Sequence, residues 1–238
     1  MSKLPKVKAI FDADILIHLL RTGAIDIAID VIDIIYISKY VYDNEIKNTT
    51  PEGKKIQKLK NSGDIQILDY DKLTKAQKYV YRDTYNLLKS KDVGTNHDDN
   101  VINEGERVTA SLAKASNIYY YMSDDNRAAP HIHSLANVSV VNYCHILFLY
   151  LYTNNYIRNK EEKQKLIDCY NKYIKLYDPD KVPRILKDMK TNEVMDFTKM
   201  MGICFMDFGI GQSNQRNNLT TLVENIKKNK EMKNAVNE

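Results

Sequence analysis

Short β-branched runs alternate with stretches of helical period along residues 6–152, and this alternation restricts the fold more than any other property of the chain. Strand-length runs fall at 6–11, 34–38, 64–69, 118–122 and 138–142. Helical patterns fill the gaps. One spans 14–23, opened by Asp14 as cap and closed by Gly23, and others span 24–33 and 39–46. A basic helix ends at Ser62 and Gly63, another opens with Thr74 and runs to 89, and 104–115 sets Val108, Leu112 and Ala115 on one face. Residues 126–135 and 143–152 complete the series, with 91–100 as a polar loop. Parallel strands need crossover connections, which place helices over a sheet. The pattern therefore predicts an α/β fold, a three-layer sandwich around a central, mainly parallel sheet. The alternating run at 64–69 reads as an edge strand. From about 155 onward only helical patterns occur, at 161–177, 182–189, 193–201 and 219–230, with a glycine-containing loop at 208–214. The expected division is a domain over 1–152 and a helical extension over 153–238.

Composition narrows the class. With 43% hydrophobic and 28% charged residues, 8 Gly and 5 Pro among 238, the chain can bury a sizeable core and is not a disordered tail. Cys144, Cys169 and Cys204 are odd in number and form no C-x-x-C pair, so they read as reduced thiols in a cytoplasmic protein. Acids interrupt the apolar run near the N-terminus, which argues against a secretory signal, and 146–152 falls far short of the ~18 apolar residues that suggest a membrane span. The net charge of +4 lies wholly in the last part: residues 1–150 carry 19 basic and 19 acidic side chains, residues 151–238 carry 16 and 12. Such a surplus permits contact with a phosphate backbone without requiring it.

The acids carry the chemistry. In VKAIFDADILI, residues 7–17, a buried run ends in Asp12, where an unpaired carboxylate is costly. Asp12 and Asp14, Glu45, Glu104 and Glu106, and Asp124 and Asp125 each have an ordinary explanation as strand ends, caps or first-turn acids. As a set they differ. Asp12 and Asp125 each end a predicted strand, and Glu45 and Glu106 belong to the flanking helices, so a wound α/β sheet brings all four to one edge. Four adjacent carboxylates raise one another's pKa unless a cation neutralises them. Oxygen ligands without Cys or His favour Mg2+ or Mn2+. Such an ion activates a water and stabilises the departing oxygen in phosphodiester hydrolysis.

These segments resemble those of the PIN-domain nucleases over residues 6–152. FDAD at 11–14 is similar to that family's first strand end, ISKYVYDNEI at 37–46 to its strand-then-helix segment closing on a Glu, GERVTASLA at 105–113 to its acid-bearing helix of small residues, and SDD at 123–125 to the acid after the next strand. The resemblance implies a PIN-like sandwich and a Mg2+- or Mn2+-dependent ribonuclease. Asp12, Glu45, Glu106 and Asp125 would be catalytic and metal-holding, with Asp14 and Asp124 in support. It also implies a toxin or defence effector with an antitoxin or other regulatory protein, and a homodimer. Departures exist: Arg127 stands earlier than in the branch with a double Asp, Asn142, Tyr143 and Cys144 replace small residues after the last strand, and both the insert between Glu45 and Glu106 and the tail exceed a compact toxin. Arg127 is the base best suited to the scissile phosphate, because its fork matches phosphate geometry.

Other features carry less. His131 and His133 form no larger ligand set, and H-E-x-x-H, P-loop, G-x-S-x-G and dinucleotide fingerprints are lacking. Lys54, Lys55, Lys58 and Lys60, and Lys160, Lys163, Lys165, Lys172 and Lys175 interleaved with Tyr170, Tyr173 and Tyr177, fit either a nucleic-acid surface or amphipathic helices with Tyr inward. The expectation is thus a nuclease acting on RNA. The alternative is a catalytically silent PIN-like module that binds nucleic acid or protein.

Overall fold

The computed structural model describes residues 7–90, 102–125, 127–153, 160–176, 222 and 224–228. The expected loops at 91–100 and 208–214 and the helices at 182–189 and 193–201 lie outside the described residues; of the helix at 219–230, residues 224–228 are helical. Five strands, β1 (Lys8–Phe11), β2 (Ile34–Ser38), β3 (Ile65–Leu68), β4 (Tyr120–Met122) and β5 (Ser139–Val141), form one sheet in the order β3-β2-β1-β4-β5. Every pairing is parallel. The helices are α1 (Ala13–Thr22), α2 (Ile25–Val31), α3 (Lys39–Asn44), α4 (Pro51–Ser62), α5 (Lys75–Ser90), α6 (Glu104–Ala115), α7 (Ala129–Ala136), α8 (Tyr143–Thr153) and α9 (Lys160–Leu176).

This is the α/β class expected: a central parallel sheet flanked by helices. Burial explains it. Ala9, Ile10 and Phe11 in β1 and all of β4 and β5 are buried whichever way their side chains point, so both faces of the sheet are covered, consistent with a three-layer sandwich. β3 lies at the edge and is only partly buried, which its alternating sequence predicts.

The chain divides into two compact units. One comprises Lys8–Leu16 and Ile32–Asn142 and contains the sheet; its apolar cluster joins Ile10 and Tyr121 of the strands to Ala110, Leu112 and Ala113 of α6, Leu88 of α5 and Ile132 of α7. The other includes Ile17–Val31 together with α8 and α9. Within it Tyr143 stacks on Tyr173 with centroids 4.0 Å apart, and its hydroxyl donates to Thr22 Oγ1 at 2.7 Å. Cys144 and Cys169 are buried and in the thiol form. No helix among the described residues is long and apolar enough to cross a membrane.

Local chemistry sets the helix ends. Thr50 caps α4 by accepting from the Gly53 N–H, Pro51 sits in its first turn, and Gly63 ends it at φ 87°, a conformation that suits glycine. The helix expected at 126–135 begins at Ala129 instead. Asp125 Oδ1 accepts from the Arg127 and Ala128 N–H groups at 2.7 and 3.1 Å, holding that stretch as a turn, and Pro130 then occupies the first helical turn.

Candidate metal centre

The parallel ladder brings strand ends together. Phe11 is in register with Ile37 on one side and Met122 on the other, so Asp12, Ser38 and Ser123 follow at one edge of the sheet. Ladder bonds continue past the strands: Asp12 N–H donates to the Met122 carbonyl at 2.9 Å, and Ser123 N–H to the Val141 carbonyl at 3.1 Å. This carboxyl edge is where α/β sheets place their sites.

Ser38 organises the neighbouring helices. Its hydroxyl caps α3 by accepting from the Val41 N–H at 3.1 Å, and it lies 3.0 Å from Thr109 Oγ1 of α6. The C-cap of α3 is Glu45. A Cβ added to Gly105 would collide with the Glu45 carboxylate, 2.9 Å from its carboxyl carbon, so Glu45 rests on the first turn of α6. That turn is built by a reciprocal cap: Asn103 accepts from the Glu106 N–H at 2.9 Å, and Glu106 Oε2 accepts from the Asn103 N–H at 2.8 Å. The cap orients Glu106 while its other oxygen, Oε1, is buried without a hydrogen-bond partner.

The electrostatics follow from this crowding. Burial, with the charges of Glu45 and Asp14, pushes Asp12 up to about 7, although the Ala13 N–H donating to Oδ1 at 2.9 Å opposes the shift. Burial pushes Glu106 up to about 8, against the Asn103 N–H, with Asp12, Asp125 and Asp14 adding to the rise. Glu45 is raised by burial and by Asp14. The phenol of Tyr121, wholly buried beside these groups, is raised by burial and by the charges of Asp12 and Glu106. It adjoins Asp12 and Ser123 without reaching a well-aligned hydrogen bond.

The structure therefore brings Asp12, Asp14, Glu45, Glu106 and Asp125 into one electrostatic group within a single compact unit. Asp12 and Glu106 are buried, Glu45, Asp124 and Asp125 half-buried, and Asp14 exposed. Asp124 follows β4 beside Asp125. Asp125 also acts as a turn cap, so its ordinary role and its place in the group coexist. Arg127 is exposed, its guanidinium 3.7 Å from Asp125 Oδ2. Among the described residues, no three acidic, His or Cys side chains stand close enough to form a metal-binding group as placed. The donor set nevertheless fits Mg2+ or Mn2+: every donor is oxygen, two carboxylates are buried against their charge, and Glu106 offers an unpartnered oxygen.

Tyr121 and Asn103 did not stand out in the sequence, and Gly105 did so only as the start of the GERVTASLA segment, not as a seat for Glu45. Asn103 had a readable signal, the N-x-x-E spacing of a capping box. Elsewhere, His133 Nδ1 contacts the Val138 carbonyl at 2.8 Å, a structural tie. Lys54, Lys55, Lys58 and Lys60 face outward from Ile56, and Tyr170 and Tyr173 are buried while Lys165, Lys172 and Lys175 are exposed. Among the described side chains both clusters thus follow amphipathic helices, and Tyr177 lies outside the described residues. No family model, no curated protein and no solved structure matches the chain.

Proposed function

We propose that this chain is a Mg2+- or Mn2+-dependent nuclease of the PIN type that hydrolyses phosphodiester bonds, with RNA as its substrate. The observation that carries the reading is the buried pair Asp12 and Glu106 at the carboxyl edge of a parallel sheet, each raised by burial and by neighbouring acids. A protein retains such a pair at a cost in stability, and a hard dication removes that cost. Asp12 and Glu106 would hold the ion, Glu45 and Asp125 would complete its carboxylate neighbours, and Asp14 and Asp124 would add negative field. Bound there, the ion would supply Lewis acidity: activation of a water and neutralisation of charge on the departing oxygen. Arg127, exposed beside Asp125, would meet a phosphate oxygen and orient the strand. The same reading includes a regulating protein partner and pairing of two copies.

The test is a mixed RNA and DNA pool incubated with purified protein and Mn2+. The parent degrades RNA and stops when chelator is added, and Asp12→Asn, folded by its melting curve, does not cut. A parent that shifts the pool on a gel and leaves it intact would establish the silent binding module instead. An Asp12→Asn protein that cuts as fast as the parent would refute the proposed chemistry.

A further inference from the structure

The helix that ends at Glu45 and the helix that carries Glu106 also border a concavity that the nuclease reading does not use. It is a cleft of about 530 Å3 whose walls include Tyr70, Tyr81, Tyr85, Lys39, Asp43 and Glu104. Its size suits a small planar ligand. Tyr81 and Tyr85 stand one turn apart on α5, so their rings share a face of that helix; the rings are nearly parallel, at 17°, with centroids 6.0 Å apart. Tyr70 leans on Tyr81 at 4.8 Å. All three are half-buried: ring area is held in place and still reached from outside.

The charges of the cleft are already engaged. Lys39 pairs with Asp43, Glu104 accepts from the Tyr85 hydroxyl at 2.7 and 2.9 Å and contacts Arg107, and the Asp69 carboxylate caps the Asp71 N–H. Lys78 lies over the Tyr70 ring at 5.1 Å, and Arg82 donates to the Tyr70 hydroxyl at 3.0 Å. Aromatic faces edged by polar atoms remain, with basic side chains at the Tyr70 end. A neutral, flat, hydrogen-bonding group fits this better than a cation, whose place over Tyr70 is taken and whose counter-charges are satisfied.

Position links the cleft to the carboxylates. α3 lends it Lys39 and Asp43 and ends at Glu45; the first turn of α6 lends it Glu104, two residues before Glu106. We propose that this cleft seats an unpaired nucleobase of a nucleic-acid strand, stacked on the Tyr81 and Tyr85 rings. Its placement next to a scissile phosphate rests on the nuclease reading; the binding of the base does not.

Binding is measured in chelator, without turnover, using fluorescent single-stranded decauridylate and decaadenylate, a matched RNA duplex, and a penta-arginine peptide. Stacking on one aromatic residue contributes ~1–3 kcal/mol per base, so loss of a ring weakens binding roughly tenfold. Tyr81→Leu and Tyr85→Leu each lose this much for the single strands. Tyr85→Phe, which keeps the ring, binds better than Tyr85→Leu, and Tyr79→Leu, on α5 but exposed and outside the cleft, binds as the parent. The duplex binds more weakly than the single strands. Tyr81 also packs on the core, so if Tyr81→Leu melts early the Tyr85 variants and a crosslink decide. In the parent, a 4-thiouridine decamer is expected to crosslink to Tyr70, Tyr81 or Tyr85.

Folded leucine variants that bind as the parent, or crosslinks elsewhere, overturn the proposal. So does tight binding of the peptide without the oligonucleotides, which would make the cleft a protein-docking site. The two readings fail separately. An Asp12→Asn protein that still cuts defeats the nuclease reading without touching these affinities, and unchanged leucine variants beside an inactive Asp12→Asn defeat the cleft alone.

Discussion

The carboxylate of Glu45 occupies the space that a side chain at position 105 would take. The two residues lie on different elements, and only the absence of a Cβ lets the acid settle on the first turn of α6 beside Glu106. In Gly105→Ala the Glu45 carboxylate must move, because it is the flexible partner in the collision. Alanine is the better helix former, which offsets the strain of that shift. The expected result is a melting temperature close to the parent, weaker Mn2+ binding by calorimetry, and cleavage reduced on the order of a hundredfold, as displacement of a positioning group by about an ångström can produce. Equal cleavage by parent and Gly105→Ala would remove Glu45 from the site.

Asp12 and Glu106 make a signed prediction about pH. Both native values are raised, to about 7 and about 8 from the ordinary 3.8 and 4.5, so the native state holds more protons than the unfolded chain between these limits. Their contribution to stability is therefore fully present below about pH 4 and is lost as pH rises through 7 and 8. Asp12→Asn cannot lose a proton. In chelator, its melting temperature relative to the parent should rise from pH 5 to about pH 7 and level off above it. A divalent ion competes with those protons, so the Mn2+-induced rise in the parent's melting temperature should be larger at pH 8 than at pH 6 and absent in Asp12→Asn. A variant curve parallel to the parent's in chelator would mean that the acid is not strained by its surroundings.

The sheet was legible because its strands are short, β-branched or aromatic, and mostly buried on both faces; Ile34–Ser38 and Ser139–Val141 need no tertiary information to be recognised. The acids were legible for the same reason, since Asp12 and Asp125 mark where those buried runs stop. What escaped depends on contacts across the chain. Glu45 and Gly105 are sixty residues apart, and no spacing rule couples them. Tyr121 sits in a run of three tyrosines, and its register opposite Ile10 and Val140 decides which of the three meets Asp12. The tyrosines of the cleft come from separate segments that only the packed fold assembles. The helix expected from 126 is regular only from Ala129: Arg127 and Ala128 form a turn whose N–H groups donate to the Asp125 carboxylate.

The reciprocal cap at α6 separates the structural and chemical roles of Glu106. Asn103→Ala removes the acceptor for the Glu106 N–H and should cost ~1 kcal/mol in urea unfolding, as loss of an N-cap commonly does. Asn103→Asp restores most of it. Glu106→Gln retains an oxygen able to accept from the Asn103 N–H, so it should fold as well as the parent, yet it cannot balance a dication. Cleavage should fall several-fold at most in Asn103→Ala and vanish in Glu106→Gln. If the two variants instead lose activity in proportion to lost stability, Glu106 is a cap and nothing more.

His145 governs the acid limb. Burial in α8 lowers its pKa to about 3 from the ordinary 6.5, so below that value the unfolded chain takes up a proton that the native state refuses. Each pH unit below 6.5 then removes about 1.4 kcal/mol of stability, until the native imidazole itself protonates near pH 3. This slope runs opposite to that of Asp12 and Glu106, so the difference between variant and parent is the quantity to follow. His145→Gln loses packing at pH 7 and should be the less stable protein there. Its urea midpoint should approach that of the parent as pH falls to 5 and overtake it near 4, because glutamine binds no proton in either state. Parallel midpoints across that range would show that the buried imidazole accepts its proton without disturbing the fold.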